Sequence, residues 1–548
     1  MHNENETIWL VCNGEIYNYP SLRPRLEALG HWFYSNSDNE AILHAYESWG
    51  EQCVDRLEGM FAFALWDEKT KKLLAARDRV GIKPLYYAET RDGVILASEA
   101  SALLPLLDAM PEPEPMALAY VMTLGYVPSP WSIWRGVRKL EAGHLLVWKS
   151  ASGAEVRKYW EPPRQIAPDS TRQPTTEWPV LFEQVLGEHL LSDVPIGLFL
   201  SGGLDSSSVA AGLRDIGKPV RAMTVSFPGS SQDEAPIAAT VARHLGFEHE
   251  ITPLEIEGIN LLIHRVARSF DEPQGYSALL SMYLISQTAA REFKVVLAGD
   301  GGDEVFGGYT WYQDLDDDLQ RHSSWIRRAL RSLMRRNASP ALRQRAALHF
   351  AQMSPLHRHA WRLYPRFLPE EAEALLAPMG IPFTDEEMLA PLRKHFEPGL
   401  PLKRALQRVD LMTFCTDSIL AKVDRASMAH SLEVRVPFLD RRIIEWALSR
   451  PLEEREQREN KPVLRGYLFP RVPTSVLSHP KQGFSLRVLD DFDWDSALDY
   501  IREGAWVRQG YWSPKWRYLV EPGVAYREGR IWNLLMLTHW ADGRLENR

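Results

Sequence analysis

The sequence predicts an α/β protein in which a mostly β N-terminal part precedes a doubly wound parallel sheet. Residues 194–299 alternate short apolar runs with helical patterns, which favours βαβ crossovers and a parallel sheet. Residues 1–160 instead hold short apolar runs separated by turn-forming clusters. A Pro-, Thr- and charge-rich segment at 161–179 predicts a linker, so we expect domains at 1–160 and 180–548.

The individual elements follow from local patterns. In the N-terminal part a helix is predicted within DNEAILHAYESWG, where Asp38 or Asn39 is positioned to cap an apolar helix face. After the linker, strands are predicted at 194–200, 219–227, 247–253 and 293–299. Helices are predicted at 206–213, 233–246 and 278–291. Beyond Tyr309 the pattern is largely helical.

Composition excludes several classes of partner. The chain has 548 residues and a net charge of -9, a poor electrostatic match for a nucleic-acid binder. Its three cysteines, Cys12, Cys53 and Cys415, are far apart and show no metal-binding spacing, which is typical of reduced thiols in a cytosolic protein. No signal peptide and no membrane-spanning run is expected. We therefore expect a cytoplasmic protein with small-molecule substrates and neither nucleic-acid nor membrane partners.

The segment SGGLDSS, residues 201–207, comes directly after a predicted strand and opens a predicted helix. This order is typical of an anion held on backbone N–H groups at a helix N-terminus. It lacks the Walker A pattern, and taken alone a tight turn with a capping residue explains it equally well. A carboxylate at Asp205 would repel a phosphate unless a cation lay between them. The segment therefore predicts a pyrophosphate site with Mg²⁺ on Asp205.

A second glycine-rich segment, GDGGDEVFGGY, follows the last predicted strand and carries Asp300, Asp303 and Glu304. An acidic surface loop is the plain alternative. However, the carboxyl ends of parallel strands face one crevice, so this segment and SGGLDSS are expected to meet there. Asp205 and Asp303 are then predicted to share one Mg²⁺ ion, which leaves Asp300 to act on substrate. The two segments together predict ATP binding.

Two other segments leave their roles open. Residues 420–440 mix charged and apolar positions without helical periodicity, which fits a structural hinge as well as a substrate site. Lys481, in HPKQGFS, taken alone fits a solvated surface charge. The arginines at 327–345 are typical of solvated helix faces, with the acidic segment DLDDDLQ nearby.

The order of these motifs resembles the glutamine-hydrolysing asparagine synthetases of the B type. NGEIYN (13–18), RDRVGIKPLYY, SGGLDSS, GDGGDEVFGGY and KQGF carry the resemblance, which covers nearly the whole chain. It implies an αββα N-terminal-nucleophile domain, of the class II glutaminase type, followed by an ATP-pyrophosphatase-type synthetase domain. In that family ATP adenylates the aspartate side chain and ammonia from glutamine attacks the acyl-AMP through a tunnel. The products are asparagine, AMP, pyrophosphate and glutamate.

The resemblance also implies roles for individual residues. ATP and pyrophosphate contacts are expected at Leu200, Ser201, Gly202, Gly203, Asp205, Ser206, Ser207, Val225 and Gly299, with Mg²⁺ on Asp205 and Asp303. Asp300 takes the general-base position, where the family commonly has the longer Glu, and Lys481 stabilises charge on the phosphoryl oxygens. Glutamine is expected to contact Asn13, Gly14, Glu15 and Asp38, the first two as oxyanion-hole donors. The resemblance leaves a homodimer open.

Departures at the substrate pocket leave the acceptor open. Tyr276 stands where relatives often have Asp, and Ser281 where they often have Pro. Aspartate is the leading acceptor, and an amidotransferase for another carboxylate in a specialised pathway is the alternative. A tRNA-modifying enzyme is disfavoured by the net charge and the absence of paired cysteines. A non-catalytic scaffold is disfavoured because Asp205, Asp300, Asp303 and Lys481 are all present.

The family's glutaminases use a cysteine at residue 1, whose own amino group activates it. Here Met1 is followed by His2, and Cys12 lies inside the apolar run IWLVC with a peptide bond on each side. We therefore interpret Cys12 as a packed strand residue. Either the gene start lies upstream or the chain depends on free ammonia, and an unpaired edge is expected in the N-terminal sheet.

Overall fold

The computed structural model describes residues 1–166, 174–228, 233–254, 258–312, 354–363, 366–452, 456, 459–479, 492–524, 526–542 and 544–545. Its strands are β1 (Ile8–Ile16), β2 (Gly59–Asp67), β3 (Lys72–Arg77), β4 (Tyr86–Thr90), β5 (Gly93–Ala97), β6 (Arg138–Lys139), β7 (His144–Lys149), β8 (Gly153–Lys158), β9 (Ile196–Phe199), β10 (Arg221–Ser226), β11 (His249–Pro253), β12 (Val295–Leu297) and β13 (Glu433–Arg435).

The α-helices of the described residues are α1 (Tyr19–Ala28), α2 (Glu40–Trp49), α3 (Ala100–Leu103), α4 (Pro115–Leu124), α5 (Pro174–His189), α6 (Leu204–Asp215), α7 (Ala235–Leu245), α8 (Ile259–Ser269), α9 (Ala278–Ala289), α10 (Gly302–Phe306), α11 (Pro355–Leu363), α12 (Pro369–Leu375), α13 (Asp385–Arg393), α14 (Leu402–Asp410), α15 (Ala421–Met428), α16 (Arg441–Ser449), α17 (Pro462–Leu468), α18 (Thr474–Leu477), α19 (Trp494–Glu503), α20 (Ala505–Arg508) and α21 (Arg527–Ala541). A π-helical segment, Leu411–Leu420, joins α14 to α15 without a break. Among these helices, none is both long and apolar enough to cross a membrane.

The N-terminal part is layered. An antiparallel sheet of order β1-β2-β3-β7-β8 packs against a smaller sheet of order β5-β4-β6. Helices α1 and α2 cover the outer face of the larger sheet, and the short α3 lies against the smaller one. The larger sheet carries apolar side chains on both faces, because the helices cover one face and the smaller sheet covers the other. This arrangement matches the layered fold that the resemblance implies.

The strand β2 shows how alternation builds these layers. Phe61, Phe63 and Leu65 face the helices, whereas Ala62 and its partly buried neighbour Ala64 face the second sheet. Successive side chains of a strand point to opposite faces, so large residues fill the space under the helices. Alanines on the other face let the two sheets approach closely.

The C-terminal part contains a five-stranded sheet of order β11-β10-β9-β12-β13, in which every neighbouring pair is parallel. This confirms the predicted doubly wound parallel sheet. From β9 the chain winds outwards through β10 and β11, then returns to the other side of β9 as β12. The winding therefore reverses between β9 and β12, and ligands of such sheets bind outside the strand ends at that point.

Strand β13 was not predicted, and its segment was interpreted as a hinge or a substrate site. Its sequence lacks the apolar run of a buried strand, because Glu433 and Arg435 occupy two of its three positions. Arg435 is nevertheless buried, donating to Glu433 at 2.7 Å and to the carbonyl of His189 at 2.9 Å. The alternation of charged residues with Val434 and Val436 is the signal that could have revealed the strand.

Two local predictions differ from the structure. Helix α2 begins at Glu40, and the side chain of Asn39, its cap residue, makes no capping hydrogen bond. The Asp38 carboxylate instead accepts a hydrogen bond from the backbone N–H of Ile16, at 2.6 Å. The segment 161–179, predicted as a linker, is partly helical, since α5 begins at Pro174.

The outer edge of the larger sheet is formed by β1, which pairs with β2 on its inner side. Residues 1–3 fold back along the first half of β1, through a bridge between His2 and Trp9 and a hydrogen bond from Leu10 N–H to the Met1 carbonyl. Farther along, Val11 is 70% exposed. The strand that carries residues 13–15 is thus held by its neighbour β2, the helices beneath it and the segment before it.

Candidate active site

The segment 201–207 lies where the sheet reverses its winding, between the end of β9 and the first turns of α6. Gly202 has φ +78°, and a Cβ there would come within 2.7 Å of the Ala238 backbone nitrogen on α7. Only glycine fits this close approach of two backbones. The turn therefore directs the N-terminus of α6 into the crevice outside the strand ends.

Hydrogen bonds within this segment fix its shape. The Ser201 N–H donates to the Ser206 hydroxyl at 3.1 Å, and the Gly203 N–H donates to the Ser201 hydroxyl at 3.2 Å. The Ser207 hydroxyl is fully buried and has no hydrogen-bond partner within the part of the chain that the structure describes. A buried hydroxyl of this kind costs about 1–3 kcal/mol when it stays unsatisfied.

The ammonium group of Lys461 lies between the two carboxylates that were predicted to share a cation. It is paired with Asp205 and lies 2.6 Å from Asp303, and its side chain is only 5% exposed. Burial lowers the pKa of Lys461, but the two carboxylates outweigh it and raise the pKa above its ordinary value. The two negative groups at adjacent strand ends are therefore balanced in this structure by a lysine ammonium group, which was not predicted from the sequence.

Sequence reasoning missed Lys461. It directly precedes Pro462, where α17 begins, far from both acidic segments along the chain. A single lysine before a proline carries no periodic signal. Only the packing of α17 against α6 brings its ammonium group to the crevice. The presence of Asp205 indicates that a cation is required nearby, but it does not indicate which residue supplies that cation.

The glycines of the second segment make room for these charged groups. A Cβ on Gly299 would lie 2.8 Å from the Asp205 Cβ, and one on Gly302 would lie 2.5 Å from an Asp205 carboxylate oxygen. A Cβ on Gly308 would collide with Asp303 and with the Lys461 side chain. Glycine at positions 299, 302 and 308 therefore follows from the need to pack this segment against Asp205, Asp303 and Lys461.

Asp300 lies in the same crevice, at the end of β12. Burial raises the pKa of its carboxyl and Asp303 adds to the rise, whereas the Lys422 ammonium group on α15 opposes it. A raised pKa moves a carboxylate towards the pH at which a general base works best. Val225, the predicted adenine contact, is buried near the end of β10. Lys481 lies outside the described residues.

The residues predicted to bind glutamine lie in the N-terminal part, on the second half of β1. Gly14 has φ +148°, and a Cβ there would collide with the carbonyl of Met60 on β2. The Asn13 amide donates to the Ser98 hydroxyl at 3.3 Å. Glu15 follows, with its carboxylate 3.4 Å from the guanidinium of Arg435. The structure thus brings β1 to the edge strand of the parallel sheet.

The carboxyl groups of Glu15 and Asp38 have unusual electrostatics. Burial, followed by the charge of Asp38, raises the pKa of Glu15 to about 7. Burial also raises the pKa of Asp38, although its hydrogen bond from Ile16 N–H opposes the shift. The positive charge of Arg435 is not enough to offset these effects on Glu15. A pocket with these two acids favours a ligand that brings a positive group, such as an α-ammonium.

Cys12 shows no activation. It lies within β1, opposite Phe63 of β2. Burial raises the pKa of its thiol, and the charges of Asp38 and Glu15 raise it further. Thiolate is the nucleophilic form of cysteine, and these surroundings suppress it.

Comparison with known proteins decides the family. A family model described as asparagine synthase matches residues 178–542, and a glutamine amidotransferase domain model matches residues 1–160. The chain belongs to the asparagine synthase family. It therefore combines an N-terminal-nucleophile glutaminase-type domain with an ATP-pyrophosphatase-type synthetase domain, as the sequence predicted.

Full-length relatives agree with this assignment. A putative glutamine-hydrolysing asparagine synthetase of Mycobacterium tuberculosis (strain ATCC 25618 / H37Rv) is 32% identical over 555 residues, which cover 97% of this chain and 84% of the relative. Asparagine synthetase 1 of Bacillus subtilis is 30% identical over 574 residues, covering 100% and 87%. A protein named amidase chry2 in Gibberella zeae is 28% identical over 538 residues, covering 88% and 77%.

In this member of the asparagine synthase family, α15 connects the two candidate pockets. Its Arg425 donates to the carbonyl of Ser98, the residue whose hydroxyl receives the Asn13 amide. Its Lys422 acts electrostatically on Asp300. The sequence alone did not decide whether this segment is a structural hinge or part of a substrate site. The structure shows a helix that touches the surroundings of both.

Further contacts hold α15 between the two parts. The Lys83 ammonium lies 3.3 Å from the Asp424 carboxylate, and both side chains are at most 8% exposed. Arg425 also lies 3.3 Å from Asp271. A cavity beside these residues is lined from both parts of the chain, by Arg77, Asp271, Thr416, Asp424, Arg425 and others. Removing one partner of a buried ion pair of this kind destabilises the folded state by about 3–5 kcal/mol, because the other charge is left buried and unpaired.

Tyr276, which the resemblance suggests stands where relatives often have Asp, is held by contacts from both parts of the chain. Its hydroxyl donates to the carbonyl of Leu124 at 2.9 Å, and the Arg366 guanidinium lies 4.4 Å from its ring centre. Ser281 on α9 is buried, and its hydroxyl has no hydrogen-bond partner among the described residues. The position therefore carries a phenol whose hydroxyl is bonded to the backbone.

The raised pKa of Glu15 predicts a pH-dependent stability. Folded Glu15 keeps its proton up to about pH 7, whereas its ordinary value is 4.5, so ionisation destabilises the folded state as the pH rises through this window. The variant Glu15→Gln is neutral throughout. We expect its melting temperature to rise relative to that of the original chain between pH 5 and pH 8 by about 2–4 °C.

Thermal unfolding at both pH values checks this expectation. Glu89→Gln, a substitution of an exposed glutamate on β4, serves as the control, and its difference from the original chain should be equal at pH 5 and pH 8. A Glu15→Gln difference that is equally independent of pH would contradict the assignment of a raised pKa to Glu15.

Proposed function

We propose that this chain is an ATP-dependent carbon–nitrogen ligase that adenylates the side-chain carboxylate of L-aspartate and transfers ammonia to it. The products are asparagine, AMP and pyrophosphate. The observation that carries the proposal is the position of residues 201–207, at the N-terminus of α6 and opposite Asp303 and Lys461. A polyphosphate fits there because backbone N–H groups, buried hydroxyls and a lysine converge on one point.

The crevice also fits a magnesium ion. Its acidic donors are the carboxylate oxygens of Asp205 and Asp303, the ligand type that Mg²⁺ prefers together with phosphate oxygens. These two residues would hold the ion, which when bound supplies positive charge to the leaving pyrophosphate. Lys461 would then donate to a phosphate oxygen. Ser201, Ser206 and Ser207 would orient the pyrophosphate with their hydroxyls.

Amide formation follows adenylation. The ammonia nitrogen attacks the acyl carbon, a C–N bond forms, and the bond from that carbon to the phosphoryl-linked oxygen breaks so that AMP leaves with the electron pair. Asp300 would accept the proton that the nitrogen loses. Its carboxylate is one methylene shorter than the Glu that the resemblance places here, but burial raises its pKa and so makes it a stronger base. Lys481 would stabilise charge on the phosphoryl oxygens, and Val225 would contact adenine.

The acceptor is proposed from the family relatives that are named asparagine synthetases. Another carboxylate is the second candidate, because Tyr276 replaces an acidic position and is bonded to the Leu124 carbonyl. We also propose that the nitrogen comes from free ammonia in this polypeptide. The support is the state of Cys12, the thiol nearest in sequence to residues 13–15, whose burial keeps it protonated.

The first test is ATP–pyrophosphate exchange with a panel of carboxylates. We expect exchange that depends on aspartate, and a loss of at least 100-fold in Asp205→Asn, because this change removes an anionic group from the crevice and leaves Lys461 with one fewer partner. Asp215→Asn, at the other end of α6, should keep nearly full activity.

The outcomes of this test are distinct. Exchange with another carboxylate but not with aspartate would show that aspartate is not the acceptor, while the adenylation mechanism would still stand. Absence of exchange with every carboxylate would reject adenylation. An Asp205→Asn variant that exchanges as fast as Asp215→Asn would refute the role of the crevice.

The second test concerns the nitrogen source. We expect product with ammonium salts and none with glutamine, and we expect Cys12→Ala to leave the ammonium-supported rate within about twofold, because an inert, packed thiol takes no part in the chemistry. Amide product and glutamate are quantified by chromatography. Glutamate release from glutamine that disappears in Cys12→Ala would overturn this interpretation of Cys12.

A further inference from the structure

Two histidines and two glutamates converge in the N-terminal part, at the end of the domain where β1 begins. Glu4 precedes β1, His31 follows α1, and His44 and Glu47 project from α2. One ligand atom from each residue lies within 4.8 Å of every other. We propose that this cluster binds one Zn²⁺ ion, which fastens the segment before β1 to the two helices. The cluster lies within the residues that match the glutamine amidotransferase domain model, and it shares no residue with the candidate active site.

The spacing of the four ligand atoms fits tetrahedral zinc. His44 Nδ1 lies 3.1 Å from a Glu47 oxygen and 3.7 Å from a Glu4 oxygen. His31 Nδ1 lies 3.4 Å from the same Glu47 oxygen and 4.0 Å from the same Glu4 oxygen. Zinc–nitrogen and zinc–oxygen bonds of about 2.0–2.1 Å in a tetrahedron place ligand atoms about 3.3 Å apart. Small side-chain adjustments bring all four to that value.

The other nitrogen of each imidazole has a partner that fixes the ring. His31 Nε2 lies 2.7 Å from the Ser48 hydroxyl, and His44 Nε2 lies 3.5 Å from a carboxylate oxygen of Glu40. Glu40 is fully buried and is itself held by backbone N–H groups. Zinc-binding histidines usually have such an outer partner, which orients the metal-binding nitrogen. Here both Nδ1 atoms are directed at the same point.

The carboxylates are oriented in the same way. The Asn3 amide donates to the Glu47 oxygen that does not face the histidines, at 2.6 Å. The backbone N–H of Trp32 donates at 3.2 Å to the Glu4 oxygen that faces the histidines, which fixes the position of that oxygen. His44 and Glu47 are three residues apart on α2, so they lie on one face of the helix. Ligands from three separate segments are thus prearranged around one point.

The donor set selects the metal. Imidazole favours zinc and its transition-metal neighbours over Mg²⁺ and Ca²⁺, which prefer oxygen alone. Two neutral histidines and two carboxylates give a neutral complex with Zn²⁺, which suits a partly buried position. Four protein ligands leave no open coordination position, and closed sites of this type are structural. The ion would hold the start of β1, the strand that carries Asn13, Gly14 and Glu15.

Zinc binding to the full chain tests the proposal. The protein is stripped with a chelator and titrated with Zn²⁺ against a chromogenic competitor, with Mg²⁺ in excess to occupy oxygen-only sites. We expect one Zn²⁺ per chain with a Kd below about 1 µM, a rise in melting temperature on zinc addition, and the intense visible absorption of tetrahedral Co²⁺ when cobalt replaces zinc.

Matched variants locate the ion. Glu4→Gln and His31→Gln should weaken zinc binding at least tenfold and abolish the tetrahedral cobalt spectrum, whereas Glu6→Gln, in the same segment, should bind like the original chain. Circular dichroism of the metal-free variants checks that they fold, and the cobalt spectrum of the original chain decides the matter if one does not. Absence of stoichiometric zinc, an octahedral cobalt spectrum, or equal binding by folded Glu4→Gln and Glu6→Gln would refute the site.

Discussion

The interaction on which the candidate active site depends is the pairing of Lys461 with Asp205 and Asp303. The two carboxylates meet because β9 and β12 are neighbours in a parallel sheet whose winding reverses between them. Their repulsion would be severe without a cation, and removing one member of such a buried group costs about 3–5 kcal/mol. The glycines at 299, 302 and 308 follow from the same requirement, since any Cβ there would displace one of these three side chains.

Helix α15 contacts residues of both parts of the chain. Arg425 reaches Ser98, beside the predicted glutamine pocket, and Lys422 influences the carboxyl group of Asp300. Arg435 of β13 adds a second connection through Glu15. Residues of α15 and β13 therefore contact the surroundings of both candidate sites.

Much of the fold could be predicted because strong patterns are local. The alternation of strands and helices between residues 194 and 299 requires only neighbouring residues to be recognised, and so does the turn at Gly202. Strand β13 was missed although the alternation of its charged residues with Val434 and Val436 was a weak local signal. Lys461 could not be predicted, since a lone lysine acquires its role only through packing with distant segments. The prediction that Asp38 caps α2 was also wrong because of a distant contact, since its carboxylate accepts a hydrogen bond from Ile16 on β1.

The most direct test of adenylation follows the oxygen atoms of the acceptor. If an oxygen of the acceptor carboxylate attacks the α-phosphorus of ATP and pyrophosphate leaves, ¹⁸O in that carboxylate must appear in AMP when ammonia breaks the acyl C–O bond. Mass spectrometry of the nucleotide after turnover with [¹⁸O]aspartate and ammonia measures this transfer. We predict one ¹⁸O atom per AMP for each amide made. Recovery of the label in inorganic phosphate, with ADP as the nucleotide product, would contradict the account and assign the chemistry to an acyl phosphate.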